Sequence, residues 1–167
     1  VRASLLTLAS AQPQAVAPRS LAELIARPGY KLAVVRGFTF GPAYDSAIAA
    51  LRAQRRLIEE PDAGGVARAL RAGLAQASVM TASIFVGTLV GDADLTALVR
   101  QVQVNALEDL GWSESGLYLS RHTLSEADRR TLRQAFAQSA RAGRVWQLFN
   151  EHHPQGSLGA SIRSLER

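Results

Sequence analysis

The residues with the clearest chemical potential form a turn after an apolar run. Leu32–Val35 is the kind of continuous apolar segment that forms a strand buried on both faces, and residues 37–42 follow it as GFTFGP. Because Pro42 suits the first turn of a helix, the pattern predicts a strand, a glycine turn and a helix. Such a turn exposes backbone N–H groups and the positive end of a helix dipole, which suit a carboxylate or a phosphate. Thr39 would add a hydroxyl and Arg36 a positive charge, although glycine in such a turn also serves simply to reverse the chain.

No constellation in the sequence supports catalysis or a metal site. The turn is neither G-x-G-x-x-G nor a Walker loop, and no H-E-x-x-H or G-x-S-x-G pattern occurs. The imidazoles are His122, His152 and His153, and the adjacent pair would diverge by about 100 degrees on a helix and could not share a metal. The closest acids fit turns or helix caps better than an acid-base pair: Asp92 with Asp94, and Glu108 with Asp109. We therefore expect no enzymatic activity, no metal and no cofactor.

The two tryptophans receive different predictions. Trp146 lies beside Val145 and Leu148 and is most simply a core residue of a terminal helix. Trp112 follows Gly111 in a turn and could line a groove, which the sequence leaves open.

Strand and helix patterns must position these residues. Apolar runs predict strands at residues 5–8, 32–35, 57–59, 77–80, around 102–104 and at 116–119. Helices are predicted from the capping box of Ser20 and Glu23, from Pro42, from the cap Asp62, across 84–90, from Ser125 and across 145–149. This alternation predicts βαβ units on a mainly parallel sheet, and therefore an α/β fold. Residues 12–18 are predicted to form a loop, and Gly64 and Gly65 to weaken the first turn of the helix capped by Asp62.

Composition limits the class of protein further. With 167 residues, 47% of them hydrophobic and 20% charged, the chain is typical of one globular unit and lacks an apolar run of membrane-spanning length. The net charge of +5 comes from 18 arginines and one lysine spread along the chain, and only Arg52, Arg55 and Arg56 approach a cluster. Because aromatic residues are also few, at 6%, we expect no nucleic-acid partner. The absence of cysteine excludes disulfides.

The order of four segments resembles bacterial extracellular solute-binding proteins of type II, in the amino-acid-receptor class. The segments are SLAEL at 20–24, KLAVVRG at 31–37, LRAGLAQ at 70–76 and GRVWQLF at 143–149, and the resemblance covers residues 5–154. It implies a periplasmic binding protein-like II fold, in which two α/β lobes close on a solute. Residues 1–30 would hold a hinge strand, a loop and a short helix, 31–112 the second lobe, 113–153 a return strand and C-terminal helices of the first lobe, and 154–167 a flexible tail.

The resemblance also implies a site. Arg36, Gly37, Phe38, Thr39, Phe40 and Thr81 would face the cleft, with the backbone and hydroxyl of the 37–39 segment holding a ligand carboxylate. Two positions depart from the family pattern: Gln76 and Thr81 both stand where an aspartate is usual, and the one replaced by Thr81 pairs with a ligand ammonium. An α-amino acid is therefore disfavoured, because a buried ammonium would be left unpaired.

The resemblance implies a periplasmic, non-enzymatic component of an ABC-type transporter that binds a small polar or carboxylate-bearing solute and delivers it to a membrane permease or receptor. The alternatives are a ligand-sensing module of a signalling or cell-wall protein, or a truncated form with a decayed site. The resemblance implies a chain that lacks the opening units of the first lobe and corresponds to the C-terminal part of such a receptor. An incomplete first lobe would expose apolar surface and favour a homodimer or domain exchange.

Overall fold

The computed structural model describes residues 1–9, 17–153, 158 and 161–163. Five strands and six α-helices alternate in it, with one 3-10 helix at Thr96–Gln101. The strands are β1 (Ala3–Leu8), β2 (Leu32–Val35), β3 (Leu57–Glu60), β4 (Ala77–Thr81) and β5 (Val102–Ala106). The α-helices are α1 (Leu21–Ala26), α2 (Pro42–Ala53), α3 (Ala63–Arg71), α4 (Ala82–Gly91), α5 (Glu126–Arg141) and α6 (Arg144–His152).

The five strands form one sheet in the order β3-β2-β4-β1-β5. β2 pairs in parallel with β3 and β4, whereas β1 pairs antiparallel with β4 and with β5. Four strands therefore point the same way and β1 alone is reversed. This confirms the predicted α/β fold with a mainly parallel sheet.

Helices cover both faces of this sheet, which explains why its strands are apolar. On one face Leu6 and Leu8 of β1 pack with residues of α3 and α4, and Phe85 lies in that cluster. On the other face Leu5 packs with residues of α1 and α2, including Tyr44. The side chains of β1 thus alternate between two cores, as those of a doubly covered strand must.

The predicted helix starts are confirmed by their caps. The Ser20 hydroxyl accepts from the Glu23 amide at 3.1 Å, and the Glu23 carboxylate accepts from the Arg19 amide at 2.8 Å. The Asp62 carboxylate accepts from the amide of Gly65 at 2.7 Å.

Several predictions about the last third of the chain are wrong. Residues 116–119 form no strand. No residue of α5 or α6 is buried, and Trp146, predicted to be a core residue, is 37% exposed. Amphipathic helices were correctly indicated, but nothing in the described part of the chain covers their apolar faces fully. The predicted tail lies mostly outside the described residues, yet Leu158 and Ser161 are buried and Ser161 accepts a hydrogen bond from the Arg2 amide at 2.8 Å. The predicted loop at 12–18 is described only at Ala17 and Pro18, which lie in neither helix nor strand.

Gly65, the second glycine of the pair in α3, is favoured over a larger residue for a steric reason. A Cβ on Gly65 would lie 2.7 Å from Oε2 and 3.0 Å from Cβ of Glu60, which is too close for ordinary contact. We therefore expect Gly65→Ala to destabilise the fold by about 1–3 kcal/mol, because overpacking outweighs the better helix propensity of alanine.

The matched control is Gly87→Ala in α4. Nothing lies within 4 Å of a Cβ at Gly87. This variant should gain up to about 1 kcal/mol from helix propensity. Urea unfolding of both variants measures the difference, and a Gly65→Ala protein as stable as Gly87→Ala would contradict the steric explanation.

Candidate functional site

The carboxyl ends of four strands and the start of β1 meet at one edge of the sheet, called here the carboxyl edge. Its members are the loop 36–41 after β2, the residues after β3 and β5, Thr81 at the end of β4, and the start of β1, where Ala3 pairs with Thr81. The chain leaves β2 toward β3 through α2 and leaves β4 toward β5 through α4, on opposite faces of the sheet. The adjacent strands β2 and β4 therefore flank a topological switch point, which is where open α/β sheets bind ligands.

The loop after β2 is a tight turn held by its own hydrogen bonds. Gly37 and Gly41 have φ of 82° and 99°, a region that favours glycine. The Phe38 amide donates to the Val35 carbonyl at 3.2 Å. The Thr39 hydroxyl donates to the Asp45 carboxylate at 3.0 Å and accepts from the Gly41 amide at 3.3 Å.

These bonds correct part of the predicted site. The Phe38 amide and the Thr39 hydroxyl proton are already used within the loop, so neither is available for a ligand carboxylate as predicted. Within the described residues, no backbone carbonyl accepts from the amides of Gly37, Thr39 or Phe40. No sequence pattern indicates this internal bonding, because Asp45 lies one helical turn into α2.

The two phenylalanines of the loop have different surroundings. Phe40 packs edge-on against Tyr44, with ring centres 5.0 Å apart, and this anchors the loop to the core. Burial raises the pKa of the Tyr44 hydroxyl well above its usual value. Phe38 lies edge-on to Phe40 at 6.1 Å and is 37% exposed, so it offers an apolar wall at the carboxyl edge.

Arg36 lies on the β3 side of the loop. Its amide donates to the Glu60 carbonyl at 2.8 Å. The pKa of the Glu59 carboxyl is lowered, mainly by its hydrogen bond from Arg52 and to a smaller extent by the charge of Arg36. The structure thus places Arg36 beside β3, which carries acidic residues. Thr81 ends β4, which lies on the other side of β2.

Thr81 begins α4 without capping it. It has extended backbone angles as the N-cap residue, yet its hydroxyl accepts no hydrogen bond from the first turn. Gly41, the N-cap of α2, has no side chain to cap with. Two helices of ten and twelve residues therefore begin at the switch point without side-chain caps. Their first-turn amides favour negative charge.

Gln76, the other departure from the family pattern, has a structural role. Its side-chain carbonyl accepts from the Lys31 amide at 2.7 Å, and its own amide donates to the Lys31 carbonyl at 3.0 Å. Both bonds join the segments that lead into β2 and β4. The residue therefore extends strand pairing at the edge opposite the candidate site.

Arg2 and Arg163 are not predicted as site residues from the sequence, yet both lie against the ring of Trp112. The guanidinium carbons of Arg2 and Arg163 lie 5.0 Å and 4.3 Å from the centre of the Trp112 ring. Beside this cluster, Ser113 and Val1 are linked by a hydrogen bond from the Ser113 amide to the Val1 carbonyl at 2.8 Å. No sequence signal joins residues so far apart, although the sequence allows Trp112 to line a groove.

Other candidate sites are less informative. A groove of about 680 Å³ runs between residues 117–121 and α5; it is lined by Arg129 and Phe136 among others, and by no residue of the loop 36–41. Across the described ranges, no three acidic or histidine side chains lie close enough to hold a metal ion. No helix in these ranges is both long and apolar enough to span a membrane.

Solved structures of solute-binding proteins share this fold. An ancestral arginine-binding protein bound to glutamine aligns with a TM-score of 0.58 and 13% identity, over 90% of this chain and 58% of its own. An amino-acid ABC transporter substrate-binding protein from Streptococcus pneumoniae, bound to L-arginine, aligns with a TM-score of 0.58 and 13% identity, over 90% and 55% of the two chains. The apo ferric ion-binding protein A of Pasteurella haemolytica aligns with a TM-score of 0.59 and 14% identity, over 98% and 56%.

The chain therefore has the fold of type II periplasmic binding proteins. It spans little more than half the length of these structures, which fits one lobe. No protein-family model and no curated protein sequence matches it.

Proposed function

We propose that this chain supplies one full lobe, and the C-terminal helices of the other lobe, of a non-enzymatic, periplasmic solute-binding protein that serves an ABC-type permease. The observation that carries the proposal is the switch point between β2 and β4, where two helices begin without side-chain caps and where the loop after β2 exposes the ring of Phe38. The solute-binding structures that share the fold support the same function. The solute lies at the carboxyl edge, against the amides of Gly37, Thr39 and Phe40 and the first turn of α4.

The helices α5 and α6 fit this proposal as elements of the other lobe. They have no buried residue, and their exposed apolar side chains include Leu132, Val145, Trp146 and Leu148. In a two-lobed receptor these side chains pack against the rest of that other lobe, which is the first lobe.

The solute is a small carboxylate or another polar molecule without an amine. The carboxyl edge between β2 and β4 offers amides and the hydroxyl of Thr81, which suit negative charge. Thr81 carries no charge, so an ammonium group placed beside it would lose its hydration without gaining a counter-charge.

The test is thermal unfolding of the chain with a panel of monocarboxylates, amino acids and neutral polar solutes. A solute present at one hundred times its Kd should stabilise the fold by about 2.7 kcal/mol. We expect a carboxylate without an amine to give the largest shift.

Thr81→Asp makes the test specific to the site. A carboxylate at the end of β4 should repel an anionic solute and raise its Kd by about tenfold or more. The control Thr96→Asp adds the same charge on the 3-10 helix, which precedes β5 and lies at the opposite edge of the sheet. Equal carboxylate binding by both variants, or no stabilisation of the unaltered chain by any solute, would refute the proposal.

A further inference from the structure

Arg2 and Arg163 form a cationic cluster with Trp112 that makes no ion pair with any described residue. Both guanidinium groups lie over this one ring, at distances typical of cation–π contacts. In the part of the chain that the structure describes, ion pairs are made by Arg52, Arg68 and Arg129, and none by Arg2 or Arg163. Two like charges thus contact the same aromatic ring, and neither forms an ion pair with a described carboxylate.

One hydrogen-bond donor of the Arg2 side chain also lacks a partner among the described residues. Its Nε atom is buried and has no hydrogen-bond partner among the described residues. Arg56 shows the usual alternative, since its buried guanidinium donates to four backbone carbonyls and one side-chain carbonyl. A guanidinium that is partly removed from water without such acceptors is destabilised, and an anion would relieve this.

The cluster lies next to the candidate site. Ala3 pairs with Thr81, so Arg2 comes beside the first residue of α4. The alternation along β1 places Arg2 on the same face as Leu6 and Leu8, which is the face that α4 covers. From β1 to β2 the sheet crosses two strand spacings, or about 10 Å, with β4 between them.

We infer that the solute carries a second anionic group, which binds to Arg2 and Arg163 beside Trp112. This inference rests on the proposed function, because it takes the solute to lie at the carboxyl edge. One end of the solute lies at the loop 36–41 and the start of α4, and the other end lies at the two guanidinium groups. The solute class is therefore a compact dianion, such as a short dicarboxylate.

Trp112 provides a direct readout. The chain contains two tryptophans, so Trp146→Phe, at an exposed position, leaves Trp112 as the only one. In this background, titration with glutarate, butyrate and glutaramide compares two, one and no carboxylates on similar carbon chains. We expect glutarate to bind at least about tenfold more tightly than butyrate, and to change the Trp112 emission as the arginines move to the anion.

Two variants assign the second carboxylate to the cluster. Arg2→Gln and Arg163→Gln should each remove the preference for glutarate while butyrate binding persists. Arg100→Gln removes the same charge from the exposed 3-10 helix at the opposite edge and should keep the preference. If Arg2→Gln fails to fold, Arg163→Gln, at an exposed position, carries the test alone.

Failure of this inference and failure of the proposed function give different results. Equal Kd values for glutarate and butyrate, or a preference for glutarate that survives Arg163→Gln, overturn this inference and leave the proposed function standing. If neither acid nor any other small solute binds, both the inference and the proposed function fail.

Discussion

Replacing Arg56 by methionine should destabilise this fold by about 3–5 kcal/mol, because four backbone carbonyls lose their donor in a buried place. Only 8% of Arg56 is exposed. Its guanidinium donates to carbonyls at the end of α1 and in the turn that follows, those of Leu24, Ile25, Arg27 and Tyr30, at 2.5 to 2.9 Å. For a chain of this length, urea unfolding should show the loss and the Tm should fall by roughly 10 °C.

Neighbouring Arg55 supplies the control. It is exposed and has a φ of 55°, a left-handed conformation that costs a side-chain-bearing residue about 1–2 kcal/mol. Arg55→Gly removes the same charge and should be neutral or stabilising. Arg56→Lys keeps the charge but has no planar fork, so it should recover only a small part of the loss. Similar stability of the Arg55 and Arg56 variants would show that the buried guanidinium does not hold α1.

The second large effect is expected at Phe85. This side chain is fully buried in the cluster between α3, α4 and the sheet. Phe85→Ala should cost about 3–5 kcal/mol, since the transfer free energy of the ring is lost and a cavity is left behind.

Trp146→Ala is the contrasting variant. Its ring stacks with Phe149 at 6.0 Å between centres, but α6 has no buried residue. The variant should therefore cost about 1 kcal/mol, the size of one aromatic pair. Denaturant midpoints of the two variants compare them directly. A loss at Trp146 as large as that at Phe85 would mean that α6 is part of the core of this chain.

The arginines at positions 52, 55 and 56 show what composition can and cannot predict. The sequence presents Arg52, Arg55 and Arg56 as one cluster of charge, and it disfavours a nucleic-acid partner because the cluster stands alone. In the structure Arg52 pairs with Glu59 at 2.9 Å, Arg55 is exposed, and Arg56 is buried. The three arginines thus have three different environments. These depend on contacts with strand β3 and helix α1 and not on the charge that the arginines share.

The candidate site divides in the same way. The strand, turn and helix around Gly37 could be predicted, because an apolar run, a glycine with positive φ and a proline at a helix start act over a few residues. The hydrogen bond of the Phe38 amide within the turn could not be predicted from the sequence. The contact of Arg2 and Arg163 with Trp112 could not be predicted either.

Apart from the 3-10 helix at Thr96–Gln101, the five strands, the starts of most α-helices and the mainly parallel sheet follow from local patterns in the sequence. These features arise from side-chain periodicity, caps and turn residues that interact locally. Only the folded structure shows that residues 116–119 form no strand, that α5 and α6 stay unburied, and that Arg56 is enclosed while Arg2 makes no ion pair with any described residue. Burial and pairing of this kind depend on contacts between segments far apart in the chain, and no local pattern records them.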